Sequence, residues 1–120
     1  MSGKRSEKLN SEFKKNIYEI LSRKVKNPLL TEMFSVTEVE TDPELSTAKV
    51  YVSVYSSDAE KAAATLEAIR QSAGFVRTQL SKAMHIRTVP QLIFMEDRSM
   101  SYGDKIDRIL EQIGAETDGK

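Results

Sequence analysis

Residues Ala48–Tyr55 alternate apolar and polar side chains without a break. Ala48, Val50, Val52 and Val54 share one side; Lys49, Tyr51, Ser53 and Tyr55 share the other. A period of two marks a strand with one covered face. Such a strand cannot stand alone: it needs a partner strand and a second layer over its apolar side. The partner precedes it. Asp42-Pro43-Glu44-Leu45 has Asp at the first turn position and Pro at the second. Phe34–Thr41 reads as the other arm, antiparallel because the connection is short. Val36 and Val39 break strict alternation there, which points to a bulge or a local twist.

The covering layer is helical. From about Ser6 to Val25, Leu9, Phe13, Ile17, Ile20 and Leu21 recur at steps of three and four, and so share one face. Asn27-Pro28 ends this helix, because a residue before proline is pushed out of the α region. Ser57 and Glu60 have capping-box spacing, and Asp58 suits a positive helix start. Ala59, Ala62, Ala63, Leu66 and Ile69 then form an inner face. Gly74 interrupts the pattern; Phe75, Val76, Leu80, Ala83 and Met84 resume it until Pro90. Gln91–Glu96 reads as a third strand. Its run Leu92-Ile93-Phe94-Met95 is apolar on both faces, as in a more buried strand. Ile106, Ile109, Leu110 and Ile113 give a short C-terminal helix. The order is α-β-β-α-α-β plus that helix, an α+β two-layer domain.

The 120 residues fit one domain. We place it at residues 6–113, between a flexible N-terminus (1–5) and a polar, disordered tail (114–120). Cysteine is absent, so no disulfide framework, thiolate nucleophile or Cys-ligated metal is available. No run is apolar enough to span a membrane, and the basic start has no apolar segment behind it. The single histidine, His85, has no second histidine or cysteine to complete a ligand set or triad. Gly-rich phosphate loops are missing, and no carboxylate pair stands out. These features predict no cofactor, no metal and no enzyme.

Net charge is zero, but the charges are segregated. Met1–Lys26 has eight Lys or Arg against three acids; Asn27–Lys61 has two against seven. Ala62–Pro90 has four against one, and the remainder four against seven. If the two basic segments meet in space, the molecule has one positive face. On the first helix Lys4, Lys8, Lys15 and Lys26 fall opposite the apolar stripe at about 100° per residue. Glu12 and Glu19 stand four residues after Lys8 and Lys15 and could neutralise them. Arg70 and Arg77 flank Gly74, and Lys82 and Arg87 continue the track. A glycine at a helix start lets backbone approach phosphate closely. A kinked helix with solvated arginines explains the same residues. Glu32, Glu38, Glu40 and Glu44 offer the contrasting reading, an acidic surface for a basic protein partner.

Three stretches together resemble the ribosome-binding factor A family. They are Val36-Thr37-Glu38-Val39 leading to Asp42–Ser53; Gly74-Phe75-Val76-Arg77 with Lys82-Ala83-Met84, Ile86-Arg87 and Val89-Pro90; and Asp97-Arg98-Ser99 with Gly103 and Ile106. The resemblance covers about Arg5 to Ile113. It implies a type-II KH-like fold. Ordinary KH domains grip single-stranded nucleic acid with a GXXG loop; this family has a helix–kink–helix with an Ala-x-Gly signature instead. The matching residues are Ser72-Ala73-Gly74, so Ser stands where the family usually has Ala. Its hydroxyl can bond back to a carbonyl and alter the bend. Asn27-Pro28-Leu29 departs from the usual Asp-Pro-Arg and removes a cation at position 29. The resemblance further implies a cytoplasmic, monomeric factor that binds the small (30S) ribosomal subunit and its rRNA, assists late maturation and rRNA processing, and supports growth in the cold. Ribosomal proteins and an assembly GTPase are further expected partners. The expected RNA face comprises Lys4, Arg5, Lys8, Lys14 and Lys15 from the first helix, and Arg70, Ser72, Ala73, Gly74, Arg77, Lys82 and Arg87 from the kinked pair.

Overall fold

The computed structural model describes residues 3–98 together with 110 and 111. Its elements run α1 (Gly3–Arg23), β1 (Met33–Thr41), β2 (Thr47–Tyr55), α2 (Ala59–Gln71), α3 (Ala73–Met84) and β3 (Gln91–Glu96). This is the predicted order. The expected C-terminal helix and tail lie outside the described residues, save Leu110 and Glu111, which are helical. The sheet order is β1-β2-β3, with β1 antiparallel and β3 parallel to β2. All three helices pack against the sheet, and α1 also touches α3. Phe13, Ile17, Ile20 and Leu21 of α1 meet Val36, Val39, Val50, Val52, Ile69, Val76 and Leu80 in one core. Burying each such side chain contributes about 1.5–3 kcal/mol.

The bulge is at Thr37. Pairing passes from Val36↔Val52 to Glu38↔Tyr51, leaving Thr37 without an opposite residue. The extra residue resets the side-chain alternation. Val36 and Val39 therefore both reach the core, although they stand three positions apart.

Asp42 organises the hairpin turn. Its carbonyl accepts the Leu45 amide at 3.0 Å. Its Oδ1 accepts the Ser46 amide at 2.7 Å, and its Oδ2 accepts the Ser46 hydroxyl. Leu45 takes a left-handed conformation, φ 58°. The Ser46 hydroxyl, then the Ser46 and Thr47 amides, hold the Asp42 carboxyl below the usual aspartate range, outweighing its desolvation. A depressed folded-state value means the unfolded chain takes up the proton first. The contribution is thus complete above about pH 4 and fades as pH falls through the depressed value. Urea unfolding of wild type and Asp42→Asn, from neutral pH down to about pH 3, tests this. The difference between them should shrink as the solution is acidified. A constant difference would show that the turn does not depend on the charge.

Three local expectations need correction. The N-cap of α2 is Asp58, not Ser57: the Asp58 carboxylate accepts the Glu60 and Lys61 amides at 3.0 and 3.2 Å. Ionised Asp is the stronger acceptor at a positive helix end. The inner face of α2 is Thr65, Leu66, Ala68 and Ile69, while Ala59 and Ala63 are exposed. Third, β3 is an edge strand: Leu92 and Phe94 are buried, but Ile93 and Met95 are 40% and 37% exposed. An apolar run reports which faces are apolar, not which are covered.

Candidate nucleic-acid interface

The helix break falls at Ser72 rather than at Gly74. Ser72 has φ −87° and ψ 1° and serves as last cap of α2 and first cap of α3. Its amide donates to the Ile69 carbonyl at 3.1 Å, a tightened turn. Its hydroxyl donates back to the Ala68 carbonyl at 2.9 Å, the backward bond the sequence allows. The hydroxyl is therefore not available to α3, which has no side-chain cap. Val76 and Leu80 anchor α3 in the core and Ala73 packs against it.

Gly74 sits inside α3 with negative φ, so the backbone does not require glycine. A Cβ built on it meets nothing within 4 Å. Internal packing does not require glycine either. What Gly74 provides is a bare patch of exposed backbone in the first turn of α3.

The arginines on either side are less free than their spacing suggests. Arg70 Nε donates to the Phe94 carbonyl on β3 at 3.2 Å. Arg77 donates from Nε to the Pro90 carbonyl at 3.1 Å and from Nη2 to the Val89 carbonyl at 2.8 Å. Both tie the helix layer to the edge strand and its lead-in. Arg77 thereby pins the connector 85–90, on which Arg87 is exposed. Ser81 adds a bond to the Ile86 carbonyl at 2.9 Å, and left-handed His85, φ 54°, closes α3. Lys82 and Arg87 are exposed and make no side-chain bond among the described residues.

Helix α1 contributes through its end. Lys24 Nζ donates to Gln79 Oε1 on α3 at 3.3 Å, which joins the two basic segments in space. Sequence reasoning left Lys24 out of the site; only the packing of α1 on α3 shows it. Lys8 and Lys15 are exposed, and no ion pair joins them to Glu12 or Glu19. Lys4 and Arg5 lie in the first turn of the α1 backbone. Lys14 is half-buried in a groove with Glu7, Asn10, Thr37 and Glu38. Lys14 thus lines the β1 side of α1. The four carboxylates weighed as an acidic patch are strung out: Glu32 precedes β1, Glu38 and Glu40 lie along it, and Glu44 is in the turn.

No group of His, Cys, Asp and Glu among the described residues is arranged to hold a metal, and no described helix is long and apolar enough to cross a membrane. The model of ribosome-binding factor A matches residues 5–110. The chain belongs to the ribosome-binding factor A family. The protein of that name from Clostridium beijerinckii is 37% identical over 113 residues, 94% of this chain and 96% of that one. The crystal structure of ribosome-binding factor A from Thermus thermophilus superimposes with a TM-score of 0.67 at 21% identity, over 80% of this chain and 99% of that one. A Thermus thermophilus homology model fitted into a cryo-electron-microscopy map of a 30S–RbfA complex gives 0.63 at 20% identity, covering 78% and 96%. These structures share the fold: three helices on a three-stranded mixed sheet, in the order of a type-II KH domain. Within the ribosome-binding factor A family, this chain carries Ser72 at the kink, with its hydroxyl committed to Ala68.

Proposed function

We propose that this chain binds the small ribosomal subunit through its rRNA, assists late maturation and rRNA processing, and does no chemistry of its own. Family membership supports the subunit as target. One structural observation carries the RNA reading: α3 offers bare backbone at Gly74 in its first turn, and Lys82 in its last turn and Arg87 on the connector beyond make no side-chain bond among the described residues. Lys24 adds charge where α1 meets α3. Positive charge gathers counter-anions without reading sequence, so most contacts are to phosphate, and specificity comes from rRNA shape. Arg70 and Arg77 shape this face as much as they charge it. A role in growth at low temperature and release by an assembly GTPase belong to the same reading.

Lys82→Ala and Arg87→Ala test it. Subunit binding is measured against salt for wild type and each variant. Each lost phosphate contact should lower the slope of log affinity on log salt by about 0.7–0.9. Slopes and affinities equal to wild type in both would remove the kinked pair from the interface.

A further inference from the structure

Phe75 follows Gly74 directly, and its spacing suggests a core position. The structure puts it outside. It is 45% exposed, is not among the side chains packed on the core, and makes no ring contact among the described residues. Its neighbours one helical turn away are polar: Gln71 and Thr78 are exposed, and Gln79 holds Lys24. From Ala68 to Met95 there is no Asp or Glu, while Arg70, Arg77, Lys82 and Arg87 all lie in that span.

An aromatic ring exposed to water costs hydrophobic free energy that the fold does not recover. A protein partner would suit an apolar patch, but a lone ring within a cationic, polar surface is not one. A nucleotide meets all the features at once. Its base has a flat apolar face for the ring, its phosphate suits the cations, and its edge can bond amide or hydroxyl side chains. The bare backbone at Gly74 lets the strand come close enough for stacking.

We infer that Phe75 is a stacking platform for an unpaired base, so that the kink binds single-stranded rather than paired rRNA. This rests on the RNA reading above. A base inside a duplex keeps both faces stacked and offers none to the ring. The ring therefore selects an unpaired segment, while the cations hold whatever backbone lies beside it.

The test uses the full chain and purified small subunits. Phe75→Leu keeps apolar bulk but loses the aromatic face; Phe75→Tyr keeps that face. Phe75→Leu should bind about 5- to 150-fold more weakly, the loss of roughly 1–3 kcal/mol of one base–aromatic stack. Its salt slope should match wild type, because no phosphate contact is lost. Phe75→Tyr should bind within about twofold of wild type (~0.4 kcal/mol). Both should melt with wild type, since the ring is outside the core. Ultraviolet irradiation of the wild-type complex should join residue 75 to a nucleotide in a single-stranded rRNA segment, located by mass spectrometry. Wild-type affinity in Phe75→Leu, or an adduct to a ribosomal protein or a paired nucleotide, overturns the inference. If Lys82→Ala and Arg87→Ala still shift the salt slope, the RNA reading survives that failure. If they do not, both fall.

Discussion

Gly74→Glu is expected to stabilise the fold while removing most of its binding. Glycine in a helix costs about 1 kcal/mol relative to a good helix former. The usual reason to keep it, a close neighbour or a left-handed backbone, is absent here. The first turn of α3 contains no acid, and a carboxylate there gains about 0.3–1 kcal/mol from the helix dipole. The melting temperature should rise by roughly 4–12 °C. Binding runs the other way. The new side chain fills the bare patch, and its charge repels phosphate. Affinity for the small subunit should fall by at least about 100-fold, or roughly 2.8 kcal/mol. Gly74→Ala separates bulk from charge: a similar gain in stability with a loss of about tenfold (~1.4 kcal/mol). Wild-type affinity in Gly74→Glu would place the interface elsewhere on the molecule.

Arg77→Ala should lose stability first, and binding because of it. Its guanidinium bridges the Val89 and Pro90 carbonyls. Hydrogen bonds from a charged donor contribute about 1.5–3 kcal/mol each, and the exposure of this side chain puts the pair at or below the sum of the low ends. A loss of about 2–3 kcal/mol is expected, with melting lowered by roughly 10 °C. Arg77→Lys should recover little, because an ammonium is a point donor and cannot span two carbonyls as a planar fork does. Subunit binding below the melting range should also weaken, because the connector carrying Arg87 is released. Full stability in Arg77→Lys would show that charge, not the fork, holds the connector. Full stability in Arg77→Ala would show that the clamp contributes nothing.

Much of the fold was legible in the residues. Strict alternation over Ala48–Tyr55 required a strand, and Asp42-Pro43 required its partner to be antiparallel. Val36 and Val39 out of phase pointed to a bulge or a twist, and a bulge is found at Thr37. The α1 stripe of Phe13, Ile17, Ile20 and Leu21 is the stripe that is buried. Local chemistry went astray where two residues competed for one role. Ser57 and Asp58 could each cap α2, and the carboxylate prevailed. Ser72 and Gly74 could each mark the kink. Glycine's freedom went unused, because the serine hydroxyl stabilised the bend by bonding to Ala68.

The sequence by itself determined which faces are apolar, where the chain must turn, and that two basic segments exist. These follow from periodicity and from side-chain chemistry at neighbouring positions. Tertiary structure alone decided which cations stay free. Arg70 and Arg77 meet carbonyls that lie 24, 13 and 12 positions along the chain, and Lys24 meets Gln79 55 positions away. It alone left Phe75 outside the core and β3 at an edge. Periodicity counts positions along one helix or strand. Whether a face is covered, or a charge satisfied, depends on what another part of the chain brings to it.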